Sequence, residues 1–302
     1  MIHVFGHIHP DSDAICTAVV TAYSLTQRGY PATAWRLGEA NRETRYIFDT
    51  AGLSLPPRLT MPLKGKSVWL VDFSEPQQGP ADLAQSTITG IIDHHRLGGL
   101  VTQLPPEVTV RPLGSSATLL WMLMPPEMRQ TLPAAYAALL SGAVLSDTVD
   151  LRSPTTTADD IRAVGELITL SGIPRATFTR DLLRAKTDLS GLSASTLLNR
   201  DLKAFVIAGV DVRIAQIEIG ASGQISPLVG ELRRGLSDLA AHSGAGLAVL
   251  MITDITAGFS TLYFAGPHSG EVGACSVPGM LSRKKQLLPW LASRLHVIRE
   301  AV

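Results

Sequence analysis

Cysteine is almost absent from this chain of 302 residues: Cys16 and Cys275 lie far apart and form neither a CxxC pair nor a disulfide framework. That excludes a small stapled scaffold and makes a reducing, cytoplasmic setting the simplest expectation. Excess charge is absent too, since Lys plus Arg (26) balances Asp plus Glu (26), so no whole-chain attraction to nucleic acid or an acidic membrane is supported. Aromatics are only 5% of the residues, too few for a base-stacking groove. The longest apolar run, 134–145, contains Ser141 and falls short of the roughly 18 residues a membrane span needs. The N-terminus enters Ile2-His3-Val4-Phe5-Gly6 with no basic region and apolar core before it, so no signal peptide is expected. Repeats and low-complexity tracts are likewise missing.

What remains is a globular composition, 45% hydrophobic with mean hydropathy +0.21, in a chain long enough for about two domains. Short apolar runs alternate with amphipathic segments over the first 185 residues or so, the pattern of a βαβ chain with a parallel sheet. Strands are expected over 2–5, 32–35, 68–71 and 90–92, and helices over 14–27, 43–50, 117–124, 134–145, 158–171 and 175–185. Small polar residues at 187–195 predict a linker between a domain over 1–187 and one over 195–302. The second domain reads as a strand over 210–219, a helix over 226–241, strands over 247–252 and 260–264, and a helix over 286–294.

The chemistry collects where the apolar strands end. The first runs into Gly6-His7-Ile8-His9-Pro10-Asp11-Ser12-Asp13, the third into Asp72, and the fourth into Asp93-His94-His95. Helix 134–145 runs out into Ser146-Asp147-Thr148. Any one of these acids could be a helix cap or a loop acid met by backbone donors. Three apolar strands each followed at once by Asp or His are harder to explain by packing, because such groups are costly to bury unpaired. Strand ends of this kind are where α/β sheets bind ligands. Mixed imidazole and carboxylate donors favour Mn²⁺, Fe²⁺, Co²⁺ or Zn²⁺ over Mg²⁺.

These motifs resemble the DHH phosphoesterases, and within them the manganese-dependent (family II) inorganic pyrophosphatases. The matching residues are 7–15, Val71-Asp72 with Glu75 and Gln77-Gln78, Asp93-His94-His95-Arg96, Gly114-Ser115-Ser116-Ala117-Thr118, Ser146-Asp147-Thr148, 153–157, Lys186-Thr187-Asp188 and Ser282-Arg283-Lys284-Lys285-Gln286. They occur in family order across nearly the whole chain. The resemblance implies an α/β fold: an N-terminal parallel-sheet DHH domain and a smaller C-terminal α/β domain of DHHA2 type, with the active site in the cleft between them. It implies hydrolysis of pyrophosphate to two phosphates at two Mn²⁺ ions, with Co²⁺ as a substitute and a further Mg²⁺ or Mn²⁺ arriving with the substrate. One ion would take His7, Asp11 and Asp72 and the other Asp13, Asp72, His94 and Asp147. Asp72 would bridge them, and a water shared by the ions would be the nucleophile. His95, Lys203, Arg283 and Lys284 would hold the phosphates. A homodimer is a further implication.

Alternatives stand beside each assignment. Arg283-Lys284-Lys285 in isolation reads as a solvated turn. His95 could be a hydrogen-bonding group that orients a ligand. Ser115 and Ser116 are expected to cap the helix at 117, where backbone N–H groups could also meet phosphate. This sequence also departs from the family. Phe73-Ser74 follow Asp72 where most members have His-Asn, and His9 replaces an Asn, which opens metal preference and rate and keeps an exopolyphosphatase, or another DHH phosphoesterase acting on phosphoanhydrides or nucleotides, as an alternative. A catalytically silent metal-binding scaffold is a third, though it would gain nothing from so complete a site. A regulatory nucleotide-binding insert, carried by some relatives, has no room here.

Overall fold

In the computed structural model, residues 1–272 and 275–299 are described. The chain forms two compact units, Met1–Lys186 and Thr187–Val302. The first holds β1 (Ile2–Phe5), α1 (Ser12–Gln27), β2 (Ala32–Trp35), α2 (Arg42–Ala51), β3 (Ser67–Val71), β4 (Thr87–Asp93) and β5 (Glu107–Val110). Helices α3 (Ser116–Leu123), α4 (Pro126–Gln130), α5 (Ala134–Asp147), α6 (Ala158–Ser171) and α7 (Arg175–Lys186) complete it.

All five strands run parallel in the order β2-β1-β3-β4-β5. Successive connections leave β1 in opposite directions, so β1 and β3 flank the switch point at which an open α/β sheet presents a crevice. One face packs Val4, Val71 and Ile92 against α1, α3 and α5. The other packs Phe5, Leu70 and Ile91 against Leu63, Phe73 and Leu83 of the connecting segments. Helix α5 is apolar on every side, and all residues from Ala137 to Ser146 are buried, so it is a core helix.

Local chemistry sets the helix starts. Asp11 caps α1 by accepting from the Ala14 N–H at 3.0 Å, so the helix begins at Ser12, two residues before the expected 14. Thr157 and Asp160 form a reciprocal capping box on α6. Gly6 allows β1 to turn tightly against α1, because a Cβ there would lie 2.5 Å from the Ala14 Cβ.

The second unit contains α8 (Ala194–Arg200), β6 (Leu202–Ile207), β7 (Val210–Ile219), α9 (Val229–Ser243), β8 (Leu247–Asp254), β9 (Phe259–Ala265), β10 (Cys275–Pro278) and α10 (Leu288–Arg299), preceded by a π-helical turn at Arg283–Leu287. Its sheet, ordered β10-β9-β8-β7-β6, is mixed: β7 and β8 are parallel and the other pairs antiparallel. Helices α8 and α9 cover one face and α10 the other. The segment expected as a linker, 187–195, sends Leu189 and Ala194 into this unit's core and already begins α8. The sequence reading does not include strands β5, β6 and β10 or helices α4 and α8. No helix among the described residues is long and apolar enough to cross a membrane.

Candidate metal centre

Every acid and imidazole expected as a metal ligand reaches the carboxyl edge of the first sheet. Three groups place their donor atoms within 4.8 Å of one another: His7, Asp11 and Asp72; Asp13, His94 and Asp147; and Asp72, His94 and His95. Asp72 joins the first group to the third through different atoms. Its Oδ2 lies 3.3 Å from His7 Nε2 and its Oδ1 lies 3.3 Å from His94 Nε2. His7 Nε2 also lies 3.6 Å from Asp11, and His94 Nε2 lies 3.5 Å from Asp147.

The backbone is bent to achieve this. Asp72 has φ +65°, a left-handed conformation that is costly for a residue with a Cβ and that collects at functional sites. Immediately after α5 delivers Asp147, the chain turns through three more left-handed residues, Val149, Asp150 and Leu151. For a β-branched valine that geometry is a clear outlier.

Neighbouring groups aim the side chains. The other ring nitrogen of His94, Nδ1, is 3.0 Å from the Leu113 carbonyl, which turns Nε2 towards the acids. His95 Nδ1 is 2.9 Å from Asp93 Oδ1, which also accepts the His95 N–H. The imidazole is thereby held by a fully buried carboxylate and also reaches Asp72 Oδ1 at 3.6 Å. Asp13 is held hardest. Thr17 Oγ1, Ser115 Oγ and the Ser116 and Ala117 N–H groups all donate to its carboxylate, at 3.0, 2.7, 2.6 and 3.0 Å. Ser115 does cap α3, but the N–H groups that might have met a phosphate there are already taken by Asp13. Ser116 Oγ donates to Asp72 Oδ1 at 3.1 Å, linking the two acids.

Electrostatically the cluster is overloaded with negative charge. Burial, followed by the charge of Asp72, raises Asp13 to about 7. Burial and the charge of Asp13 push Asp147 well above the usual carboxylate range. Burial opposes protonation of the imidazoles, yet the hydrogen bonds that His7 donates to Asp11 and Asp72 raise it to about 9, and the one that His94 donates to Asp72 helps raise it to about 10. The four carboxylates divide: burial and neighbouring acids push Asp13 and Asp147 towards their protonated forms, whereas hydrogen bonds from the imidazoles outweigh burial at the other two, holding Asp11 at about 2 and Asp72 well below the usual carboxylate range. The donor set, imidazole nitrogen mixed with carboxylate oxygen, suits a transition-metal dication such as Mn²⁺.

Other residues from the sequence reading fall elsewhere. His9 is exposed and belongs to none of the three groups among the described residues. Phe73 is fully buried in the apolar layer beneath the sheet, whereas Ser74 Oγ donates to the Arg96 carbonyl at 3.1 Å. In the second unit the basic triplet divides: Arg283 is buried, Lys284 intermediate and Lys285 exposed. Arg283 donates to the Asp201 carbonyl and to its Oδ1, both at 2.8 Å, and Lys203 Nζ approaches the same Oδ1 at 3.8 Å. Arg283 is thus not the solvated surface residue that an isolated basic triplet suggests.

Several buried polar residues carry no assigned role in the sequence reading. Asp93 stands in the Asp-His-His motif, and the structure gives it the task of holding His95. Asp160 accepts from Gly114 N–H, Thr118 Oγ1, and the N–H and Oγ1 of Thr157, and so anchors the loop that grips Asp13. Glu43 is equally buried. Glu43 is a single acid on an amphipathic helix, a pattern indistinguishable from a solvated face, whereas Asp160 could have been read as the partner of Thr157 in a capping box.

Comparison with known proteins gives concordant matches. Residues 1–144 match the DHH family, N-terminal domain, and residues 180–293 match the DHHA2 domain. The chain is 34% identical over 307 residues to a probable manganese-dependent inorganic pyrophosphatase of Lactiplantibacillus plantarum, covering 97% of this chain and 98% of that one. A protein of the same description from Enterococcus faecalis is 34% identical over 301 residues, covering 96% and 97%. Among solved structures, a candidate family II inorganic pyrophosphatase from Methanococcus jannaschii superposes with TM-score 0.85 at 32% identity, covering 97% of this chain and 99% of that one. An exopolyphosphatase-related protein from Bacteroides fragilis, at 12% identity and TM-score 0.52 over 98% of this chain and 92% of that one, shares the fold.

Proposed function

The chain belongs to the manganese-dependent inorganic pyrophosphatases, a DHH domain followed by a DHHA2 domain, and from that premise we propose that it hydrolyses pyrophosphate to two phosphates at a dinuclear Mn²⁺ centre. Of the residues present, His7, Asp11 and Asp72 would hold one ion, and Asp13, Asp72, His94 and Asp147 would hold the other. The observation that carries this reading is Asp72, whose two carboxylate oxygens each face a different histidine at 3.3 Å from a strained backbone. A carboxylate used in this way suits two cations roughly 3.5–4 Å apart. When bound, Mn²⁺, or Co²⁺ in its place, would supply positive charge for the phosphoryl oxygens and lower the pKa of the attacking water.

The chain's own side chains supply the rest. Asp13, fixed by four donors, and His94, fixed by the Leu113 carbonyl, enter the reaction already oriented, so little reorganisation is needed at the transition state. His95, steadied by Asp93, presents Nε2 to a phosphate oxygen. Lys203, Arg283 and Lys284 neutralise the substrate's remaining charge, with a further Mg²⁺ or Mn²⁺ accompanying the substrate. A cytoplasmic setting and a homodimer belong to the same proposal.

The test is phosphate release from pyrophosphate, polyphosphate and nucleotides by metal-stripped protein given Mn²⁺, Co²⁺ or Mg²⁺, with metal content measured in parallel. Two Mn²⁺ per chain and turnover of pyrophosphate above the others is the expected result. A strong preference for polyphosphate would move the substrate to the longer phosphoanhydride, and no turnover of any of them would overturn the enzymatic reading.

A further inference from the structure

Helix α2 carries a buried acid that the centre described above does not use. Glu43 is 2% exposed and both of its oxygens are occupied. Oε2 accepts from Ser146 Oγ at 2.9 Å and lies 3.3 Å from Lys186 Nζ, while Oε1 accepts from Asn41 Nδ2 at 3.0 Å and from Lys186 Nζ at 3.4 Å. Lys186 Nζ also reaches Ser146 Oγ at 3.4 Å. The next residue on α2, Thr44, shares a 2.9 Å hydrogen bond with the fully buried Ser12.

The position of these contacts in the chain is what matters. Ser146 immediately precedes Asp147, at the point where α5 gives way to the left-handed turn of residues 149–151. Ser12 lies between Asp11 and Asp13. Lys186 is the last residue of α7 and of the first unit. A strained turn keeps its shape only where its surroundings over-determine it. On its Ser146 side the turn is held by Glu43, and Glu43 by the charge of Lys186.

We propose that Glu43 and Lys186 form a clip that positions Asp147 and thereby sets the affinity of the Asp13, His94 and Asp147 group for its metal ion, leaving the His7, Asp11 and Asp72 group largely untouched. The clip deepens the two-ion reading and rests on it. Glu43 and Lys186 are positioning residues; among the described residues neither lies in a group able to hold the metal.

Equilibrium dialysis of the full-length, metal-stripped chain against Mn²⁺ tests this. The two binding steps are assigned with His7→Ala and Asp147→Asn, each of which removes one. Lys186→Met and Ser146→Ala should weaken the Asp147 step about tenfold, the lower end of what loss of an outer partner costs a metal site, with the other step unchanged. Lys186→Arg should restore it. Because Lys186→Met leaves Glu43 buried and unpaired, Glu43→Gln/Lys186→Met is compared as well: neutralising both groups should recover the melting temperature while the Asp147 step stays weak. Both steps unchanged, or both weakened alike, in variants that melt as the wild type does would overturn the clip. A wild type that binds one Mn²⁺ per chain would remove it too. Pyrophosphate turnover by the wild type is assayed separately, so a chain that hydrolyses nothing still reports on the clip through its Mn²⁺ isotherm.

Discussion

The two units treat charge in opposite ways. In the first, four carboxylates are packed against one another at the sheet edge, and the protein holds them in place rather than keeping them apart: Asp13 with four donors, Asp72 with Ser116 and a left-handed backbone. In the second, the cations are matched inside the unit, Arg283 and Lys203 both on Asp201. Four acids gathered this closely repel one another, a repulsion that His7 and His94 offset in part and that divalent cations would relieve. A buried arginine forked onto an aspartate is oriented from within its own unit, so the aspartate fixes how the cationic group is presented. The difference teaches that metal binding should be the property of the first unit alone, while the second should affect substrate without affecting metal.

Asp72→Ala is the harshest test of that division. In the proposed centre both ions take this side chain, so both should be lost together and pyrophosphate turnover should fall by roughly 10³-fold or more, the scale of removing a major electrostatic stabiliser. Elemental analysis showing that one ion remains would refute the sharing. Next in size is Asp160→Ala, which strips the anchor from four donors around Gly114, Thr118 and Thr157. Unsatisfied buried donors of this kind cost about 1–3 kcal/mol each where water cannot reach them. The variant should therefore melt several degrees lower and retain less metal, because the loop gripping Asp13 loosens. A normal melting temperature would show that the loop holds itself.

Lys284→Ala breaks the comparison from the other side. If the second unit serves substrate alone, metal content should stay at the wild-type value while KM rises or kcat falls by roughly 10–100-fold, as for loss of one charged hydrogen bond. Unchanged kinetics would make Lys284 a surface residue. Arg283→Lys sharpens the same point, since lysine cannot reproduce the fork onto Asp201 and the loss should again appear in kinetics rather than in metal content.

Much of this was legible in the sequence, for identifiable reasons. His7, Asp11, Asp72 and His94 stand out because each follows an apolar strand within a few residues, and a parallel sheet brings its strand ends to one edge whatever the details of the loops. Asp147 is less visible, since it follows a helix: the end of that helix marks it, but its role as a ligand came from the family resemblance alone. Strand β5 is four residues long, lies at the edge of its sheet and follows Pro105-Pro106. Strand β6 is joined to β7 by a two-residue turn, Ala208-Gly209, with both φ values positive, and an alanine there gives none of the usual warning. Glu43 escaped because burial of a lone helical acid depends on the donors facing it from distant segments.

The smallest effect expected is one of pH, and its sign follows from the shifts. Asp13 is raised to about 7 in the folded chain, so without metal its contribution to stability is complete below its ordinary value of 3.8 and is lost as pH rises through 7. His7 and His94, raised to about 9 and about 10, contribute in the same direction: their stabilisation is full below 6.5 and disappears as pH climbs through those higher values. Metal-stripped protein should therefore melt at progressively lower temperature between pH 5 and pH 9, by a few degrees in all. With saturating Mn²⁺ the same groups are held as ligands and the slope should flatten, because the ions replace the protons that the crowded acids otherwise keep. Calorimetry across that range, with and without Mn²⁺, distinguishes this from repulsion elsewhere in the chain, for which Mn²⁺ would leave the slope as it was.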